Sequence, residues 1–287
     1  MGSTNSPTPP PIRACLFDMD GLLIDSEDLY TIVTNTILKR YNRPTLPWSI
    51  KAQMQGRPGP QSAQIFHSWA QLPIPPEQFM AENLELQKEY FPKSQPLPGT
   101  MELLEKLKVS GTKMALATSS HAVTFQLKSG HLPQMFKYFA EEHKVLGDDV
   151  RIPRGRGKPA PDIYLLALKT LNETLRANGE KEIQPEECLV FEDSVPGVES
   201  GRRAGMQVIW CPHPELLLEY KEREKEVLAG LTGEHKEDEE EQLKKTGVDV
   251  APGRRQIGAP GEIDDGWATL LNTLEDFPYE KFGIKTA

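Results

Sequence analysis

Short apolar runs, each cut off by polar or turn residues, punctuate the chain at Ile12–Phe17, Lys113–Thr118, Cys188–Phe191 and Gln207–Cys211. Their shortness and lack of helical spacing predict buried β-strands. Between them, apolar positions recur at helical intervals and predict helices over Thr100–Lys108, His121–Lys128, Pro161–Leu171 and Gly197–Ala204. Strands alternating with helices predict an α/β fold, a Rossmann-like doubly wound parallel sheet with helices on both faces. Ligands of such sheets sit beyond the carboxyl ends of the strands.

The gap between the first two strands is too long for one crossover. Residues 26–96 carry their own helical periodicity, as in Leu29, Ile32, Val33, Thr36 and Ile37, broken by Gly56-Arg57-Pro58-Gly59-Pro60 and Pro73–Pro76. They predict a small helical cap domain inserted after the first strand, leaving residues 12–25 and 97–287 as the core. Residues 1–11, rich in Ser, Thr and Pro, predict a disordered leader. From about 212 to 264 the chain holds a mixed-charge block (Glu219–Val227), an acidic cluster (Glu237–Glu241) and a Gly/Pro stretch (Ala251–Glu262). That composition predicts a charged, flexible insertion, with a solvated helix through Leu216–Val227.

Composition narrows the function. Of 287 residues, 38% are hydrophobic and 26% charged, with a net charge of −9. The balance suits a soluble protein with a real core. An acidic chain lacks the basic footprint of unaided nucleic-acid binding, although a metal and a few cations can still favour an anionic substrate locally. No apolar run approaches membrane-spanning length, and the N-terminus lacks the apolar stretch of a signal peptide. The expectation is a monomer or weak oligomer in the cytoplasm, with the nucleus as alternative. Cys15, Cys188 and Cys211 lie in or beside apolar runs without metal-ligand spacing, and read as small buried thiols.

Four segments hold the chemistry. Asp18-Met19-Asp20-Gly21 follows the first strand, and carboxylates at i and i+2 on extended chain face the same way. One can attack phosphorus while the other handles the proton of the leaving group; the glycine permits a sharp turn. The plainer reading is an Asp-rich turn. Thr118, Ser119 and Ser120 end the second strand with donors for phosphate oxygens, Lys158 precedes a proline-initiated helix, and Glu192-Asp193 pairs carboxylates suited to a hard cation such as Mg²⁺. Each of these alone is unremarkable.

Together and in this order, the four resemble the signature of the haloacid dehalogenase superfamily of phosphatases, across residues 12–211. Leu16–Glu27, Ala115–Ser120, Val145–Asp149 and Cys188–Asp193 are similar to the pseudouridine-5′-phosphatase group within it, as are Ala268–Leu270 and the stretch from Asp276-Phe277 to Phe282-Gly283. The leader and the insertion depart from those shorter relatives, and the cap agrees less well than the core. The resemblance implies a phosphomonoester hydrolase with Asp18 as nucleophile, Asp20 as acid and base, and an aspartyl-phosphate intermediate. It implies Mg²⁺ held by Asp18, the Asp20 carbonyl and Asp193, with Glu192 beside it or bound through water. Thr118, Ser119 and Lys158 would bind phosphate, and the loop residue Arg57 is a candidate for substrate recognition. The expected substrate is a small phosphorylated metabolite, with pseudouridine 5′-phosphate or a related nucleotide leading and FMN, glycerol phosphate and sugar phosphates as alternatives. A mutase resembling the β-phosphoglucomutases is disfavoured, because Tyr30 stands where those enzymes place a histidine. A non-catalytic phospho-ligand sensor is disfavoured by the intact Asp18, Asp20, Lys158 and Asp193.

Overall fold

The computed structural model describes residues 9–57, 59–234 and 257–286. Among them lie six strands: β1 Ala14–Phe17, β2 Lys113–Ala117, β3 Lys144–Val145, β4 Cys188–Glu192, β5 Gln207–Trp210 and β6 Ala268–Leu270. They form one parallel sheet in the order β3-β2-β1-β4-β5-β6. The central β1 pairs with β2 on one side and β4 on the other, so Phe17 lies opposite both Leu116 and Phe191. The strand order reverses there, and a crevice opens between the diverging connections.

The helices are α1 Ser26–Arg40, α2 Trp48–Met54, α3 Gly59–Ala70, α4 Pro76–Tyr90, α5 Thr100–Ser110, α6 Ala122–Ser129, α7 Pro133–Phe136, α8 Asp162–Ala177, α9 Val195–Arg203, α10 Pro214–Glu219 and α11 Glu224–Ala229. Alternate residues of β1 serve opposite cores, as the period-two geometry of a strand requires. Cys15 and Phe17 pack with Leu103 and Leu107 of α5, Phe136 of α7 and Phe277. Ala14 and Leu16 pack with Tyr164 and Leu168 of α8, Val198 of α9 and Val227 of α11. A sheet buried on both faces needs continuous apolar strands, which is why these runs are legible. Cys15 and Cys188 are free thiols buried in adjacent strands, and Cys211, just after β5, is partly exposed.

Helices α1 to α4 build a separate apolar cluster from Val33, Ile37, Leu38, Phe66, Phe79 and Leu86. The two chain segments joining them to the sheet run antiparallel, bridged at Ile24 and Pro96. The Asp25 amide donates to the Gln95 carbonyl at 3.0 Å, and the Gln95 amide returns to Asp25 Oδ1 at 2.7 Å.

Several expectations need correction. The Gly59-Pro60 breaker opens α3, since proline in a first helical turn forfeits no intrahelical bond. The helix expected through Leu216–Val227 is two helices, α10 and α11, separated by a turn. The halves pack on different neighbours, α10 on α2 and α11 on α9, which one straight helix could not reach. Nor is the beginning or end of the 212–264 stretch a loose solvated segment. Leu216 and Val227 are each 1% exposed, the Gly261 amide donates to the Ala229 carbonyl, and Arg202 pairs with Asp265. The acidic cluster Glu237–Glu241, most of the leader and the first half of the Gly/Pro stretch lie outside the described residues. Strands β3 and β6, at two and three residues, were too short to register as apolar runs.

Candidate active site

Three strand ends and one loop deliver the candidate residues. Because Phe17 pairs with Phe191, Asp18 emerges beside Glu192 and Asp193. One oxygen from each of these three buried carboxylates lies within 4.8 Å of the others. Gly21 has φ +76°, and a Cβ there would lie 2.1 Å from Asp193 Oδ2. Only glycine lets the loop after Asp20 pass so close to the end of β4.

Lys158, 1% exposed, reaches in from the loop before α8. Its Nζ lies 2.5 Å from Asp18 Oδ1, 2.6 Å from Glu192 Oε1 and 3.1 Å from the Ala117 carbonyl. Glu192 is fully engaged by protein donors. Tyr164 donates to Oε1 at 2.6 Å, while the amides of Asp193 and Ser194 and the Ser194 hydroxyl converge on Oε2. Asp18 accepts from Lys158 alone among the described residues, and the Asp193 carboxylate from Gln55 alone.

One ammonium cannot balance three buried carboxylates, and their proton affinities follow. Burial pushes Asp18 up, to about 7; Lys158 opposes it, while Glu192 and Asp20 add to it. Asp193 is raised well above the carboxylate range by burial, then by Glu192 and Asp18. For Lys158, burial disfavours the charge, but Asp18 and Glu192 outweigh it and keep the amine protonated.

Asp20 has different surroundings. Its Oδ1 accepts from Ser26 Oγ and Lys128 Nζ, each at 2.5 Å, and its Oδ2 from Ser120 Oγ at 2.6 Å and more weakly from Thr118 Oγ1 at 3.4 Å. Burial alone would raise its pKa; the Lys128 ammonium and these hydrogen bonds overcome burial and hold it below the usual value. Lys128, on α6, is 0% exposed and also donates to Ser120 Oγ and to the Tyr30 phenol. We expect Lys128→Met to cost about 3 kcal/mol of stability, the lower end for breaking a buried pair, since Asp20 keeps some contact with solvent. Urea unfolding measures it, and a loss under about 1 kcal/mol would show that Lys128 does not compensate Asp20.

Asp18, Asp20, Ser119 and Asp193 line a cavity of about 1010 Å³, roofed by α1 to α4. Phe66 of α3 and Phe79, Met80 and Leu84 of α4 also line it, with Asn83, Gln87, Tyr30 and Lys51. Thr118 is fully buried and does not itself line the cavity. Ser119 Oγ reaches the Gly56 carbonyl at 3.4 Å. Arg57 also borders this cavity, but its guanidinium is paired with Glu234, from the stretch expected to be flexible. The structure therefore brings Asp18, Asp20, Thr118, Ser119, Lys158, Glu192 and Asp193 together, and holds Arg57 at the margin.

Sequence reasoning missed Lys128, Ser26 and Gln55. Each is a single polar residue in a helix or loop, and nothing in its local pattern separates it from a solvated side chain.

A family model described as haloacid dehalogenase-like hydrolase matches residues 12–205. The chain is 44% identical over 207 residues to the probable pseudouridine-5′-phosphatase of Saccharomyces cerevisiae, covering 72% of this chain and 85% of that protein. It is 37% identical to the mitochondrial (DL)-glycerol-3-phosphatase 1 of Arabidopsis thaliana, over 77% of this chain and 70% of the relative. Among solved structures, a hydrolase of the same superfamily from Deinococcus radiodurans, with bound phosphate and sodium, superposes with a TM-score of 0.54 at 26% identity. That match covers 71% of this chain and 82% of the other.

Proposed function

The chain belongs to the haloacid dehalogenase-like hydrolase family and is a phosphomonoester hydrolase of small phosphorylated metabolites, and we propose that it works through Asp18 as nucleophile, Asp20 as proton carrier and Mg²⁺ as cofactor. The Asp18 carboxylate forms a bond to phosphorus as the substrate's P–O bond breaks, and the leaving oxygen takes a proton from Asp20, which must first acquire it from solvent because Lys128 otherwise holds that carboxyl ionised. Water then surrenders a proton to Asp20 and adds to phosphorus, releasing Asp18 and inorganic phosphate. Splitting one difficult displacement into two is the gain of covalent catalysis, and the proton transfers contribute roughly 10²–10⁴-fold. Thr118, Ser119 and Lys158 would hold the phosphoryl oxygens where charge accumulates.

The donor set fits a hard divalent cation. Once ionised, three buried carboxylates against one ammonium leave two negative charges for a cation to offset, and the oxygens of Asp18 and Asp193 not used by protein donors are the ligands Mg²⁺ prefers. Asp18, Asp193 and the Asp20 backbone carbonyl would hold it. Glu192, with both oxygens engaged, would act on the ion through water and by fixing Lys158 and the turn behind Asp193. When bound, the cation offsets the repulsion between an anionic nucleophile and an anionic phosphate.

Helices α1 to α4, with residues 26–96 as a unit, act as a cap that excludes water and recognises the rest of the substrate. The substrate we favour is pseudouridine 5′-phosphate or a related nucleotide. The cavity carries that reading: its volume exceeds the needs of a glycerol phosphate, and its aromatic and apolar wall with interspersed amides suits a base. The mutase alternative is weakened at Tyr30. Burial raises the phenol's pKa despite the opposing Lys128, leaving it unsuited to relay a proton at neutral pH. Phosphate release from a panel of phosphomonoesters is the test. Pseudouridine 5′-phosphate should exceed glycerol 3-phosphate by at least about tenfold in kcat/KM, a difference of roughly 1.4 kcal/mol, and chelation by EDTA should abolish both. A panel led by glycerol 3-phosphate would overturn the substrate reading, and full activity in EDTA would overturn the metal reading.

A further inference from the structure

One cap residue enters the carboxylate cluster. Gln55 follows α2 and is 6% exposed. Its Nε2 donates to Asp193 Oδ2 at 2.5 Å, and its Oε1, equally buried, has no hydrogen-bond partner among the described residues. A buried amide oxygen without a donor is rare enough to require a reason. The approach is enforced by the backbone. Gly56 has φ +75°, a Cβ there would fall 2.2 Å from Ser194 Oγ, and its carbonyl accepts from Ser119. The loop therefore presses on the ends of both β2 and β4, and a bulkier residue after Gln55 would lift the amide away.

We propose that Gln55 is a positioning residue that couples closure of the cap to the affinity of the Asp18–Asp193 site for a divalent cation. Its N–H fixes one oxygen of Asp193 and so aims the other at the ion, in the way hydrogen bonds to ligating carboxylates sharpen metal sites. Its unpaired Oε1 faces a place where the hydration water of a small, reluctantly dehydrated cation is the natural donor. Because Gln55 rides on the cap while Asp193 belongs to the sheet, this support exists only when cap and sheet meet. Linkage then works in both directions: whatever factor closure adds to metal affinity, the metal adds to the closed population. The inference rests on the reading of Asp18 and Asp193 as metal ligands.

The test is Mg²⁺ titration calorimetry without substrate, on the full chain, for the wild type, Gln55→Met and Gln53→Ala. Methionine keeps the length of the side chain but neither amide group. Gln53, two residues earlier, is exposed, with its side-chain nitrogen on the Ser49 carbonyl, and serves as the control. Expected is a Kd about tenfold weaker, the low end for loss of an outer partner of a metal ligand, in Gln55→Met alone. Hydrogen exchange supplies a second readout. Mg²⁺ should slow amide exchange at residues 54–57 in the wild type and leave it unchanged in Gln55→Met. Should Gln55→Met fold poorly, Gln55→Asn, which shortens the amide's reach, must show the same two losses. Mg²⁺ affinity in a folded Gln55 variant within twofold of wild type would overturn the coupling while leaving the metal reading intact. Absence of Mg²⁺ binding by the wild type would overturn both.

Discussion

Asp18→Asn is expected to lower kcat on a small phosphomonoester by a thousandfold or more, about 4 kcal/mol of barrier, while the protein remains folded. The amide is close to isosteric, so the packing of Phe17 between Leu116 and Phe191 is undisturbed. What changes is chemistry: an amide oxygen is a poor nucleophile, the site loses one negative charge, and Lys158 loses one of its two carboxylate partners. Single-turnover phosphate release beside a circular dichroism spectrum separates catalysis from folding. A variant retaining more than about a tenth of wild-type kcat, a loss under roughly 1.4 kcal/mol, would show that some other group attacks phosphorus.

Lys158→Met should destabilise the protein as well as inactivate it, by about 3–5 kcal/mol. The substitution keeps the apolar stem but leaves Asp18 and Glu192 buried without their cation. The penalty should shrink as pH falls. Asp18 is already raised from 3.8 to about 7 with Lys158 present, and removing the ammonium moves it further in the same direction. Across that window the folded state holds a proton that the unfolded chain has lost, so stability rises as pH falls. Urea titrations of the metal-free variant at pH 5.5 and 7.5 should therefore show the smaller deficit at 5.5. An equal deficit at both would mean that the carboxylates relax toward solvent once Lys158 is gone.

The parts of the fold visible in sequence are those whose physics is local. Strands β1, β2, β4 and β5 are buried on both faces over nearly all their length, so their residues read as short apolar runs. Strand β3 pairs only through Leu116–Lys144 and Ala117–Val145, too little chain to carry a periodicity. The candidate carboxylates were legible because they sit at or just after the ends of such runs, where backbone geometry aims them at the crevice. Lys128 was not, because its burial depends on Asp20, Tyr30 and Phe91 closing around it from distant parts of the chain. The same holds for Arg57 and Glu234. Composition marks the one as a loop cation and the other as part of a charged stretch, and only the tertiary structure pairs them.

The three thiols have a consequence for the conditions this hydrolase can tolerate. Cys15 and Cys188 lie in neighbouring strands beneath the crevice, and burial pushes both thiols far up; Cys211, also held back mainly by burial, is pushed up to about 12. Peroxide and alkylating agents react with thiolate, a form almost absent at neutral pH when the pKa stands so high. Phosphatases that attack with a cysteine must keep a thiolate exposed and are silenced when it oxidises. If Asp18 is the attacking group, as proposed, no thiolate takes part, and oxidation of these thiols should leave dephosphorylation unchanged.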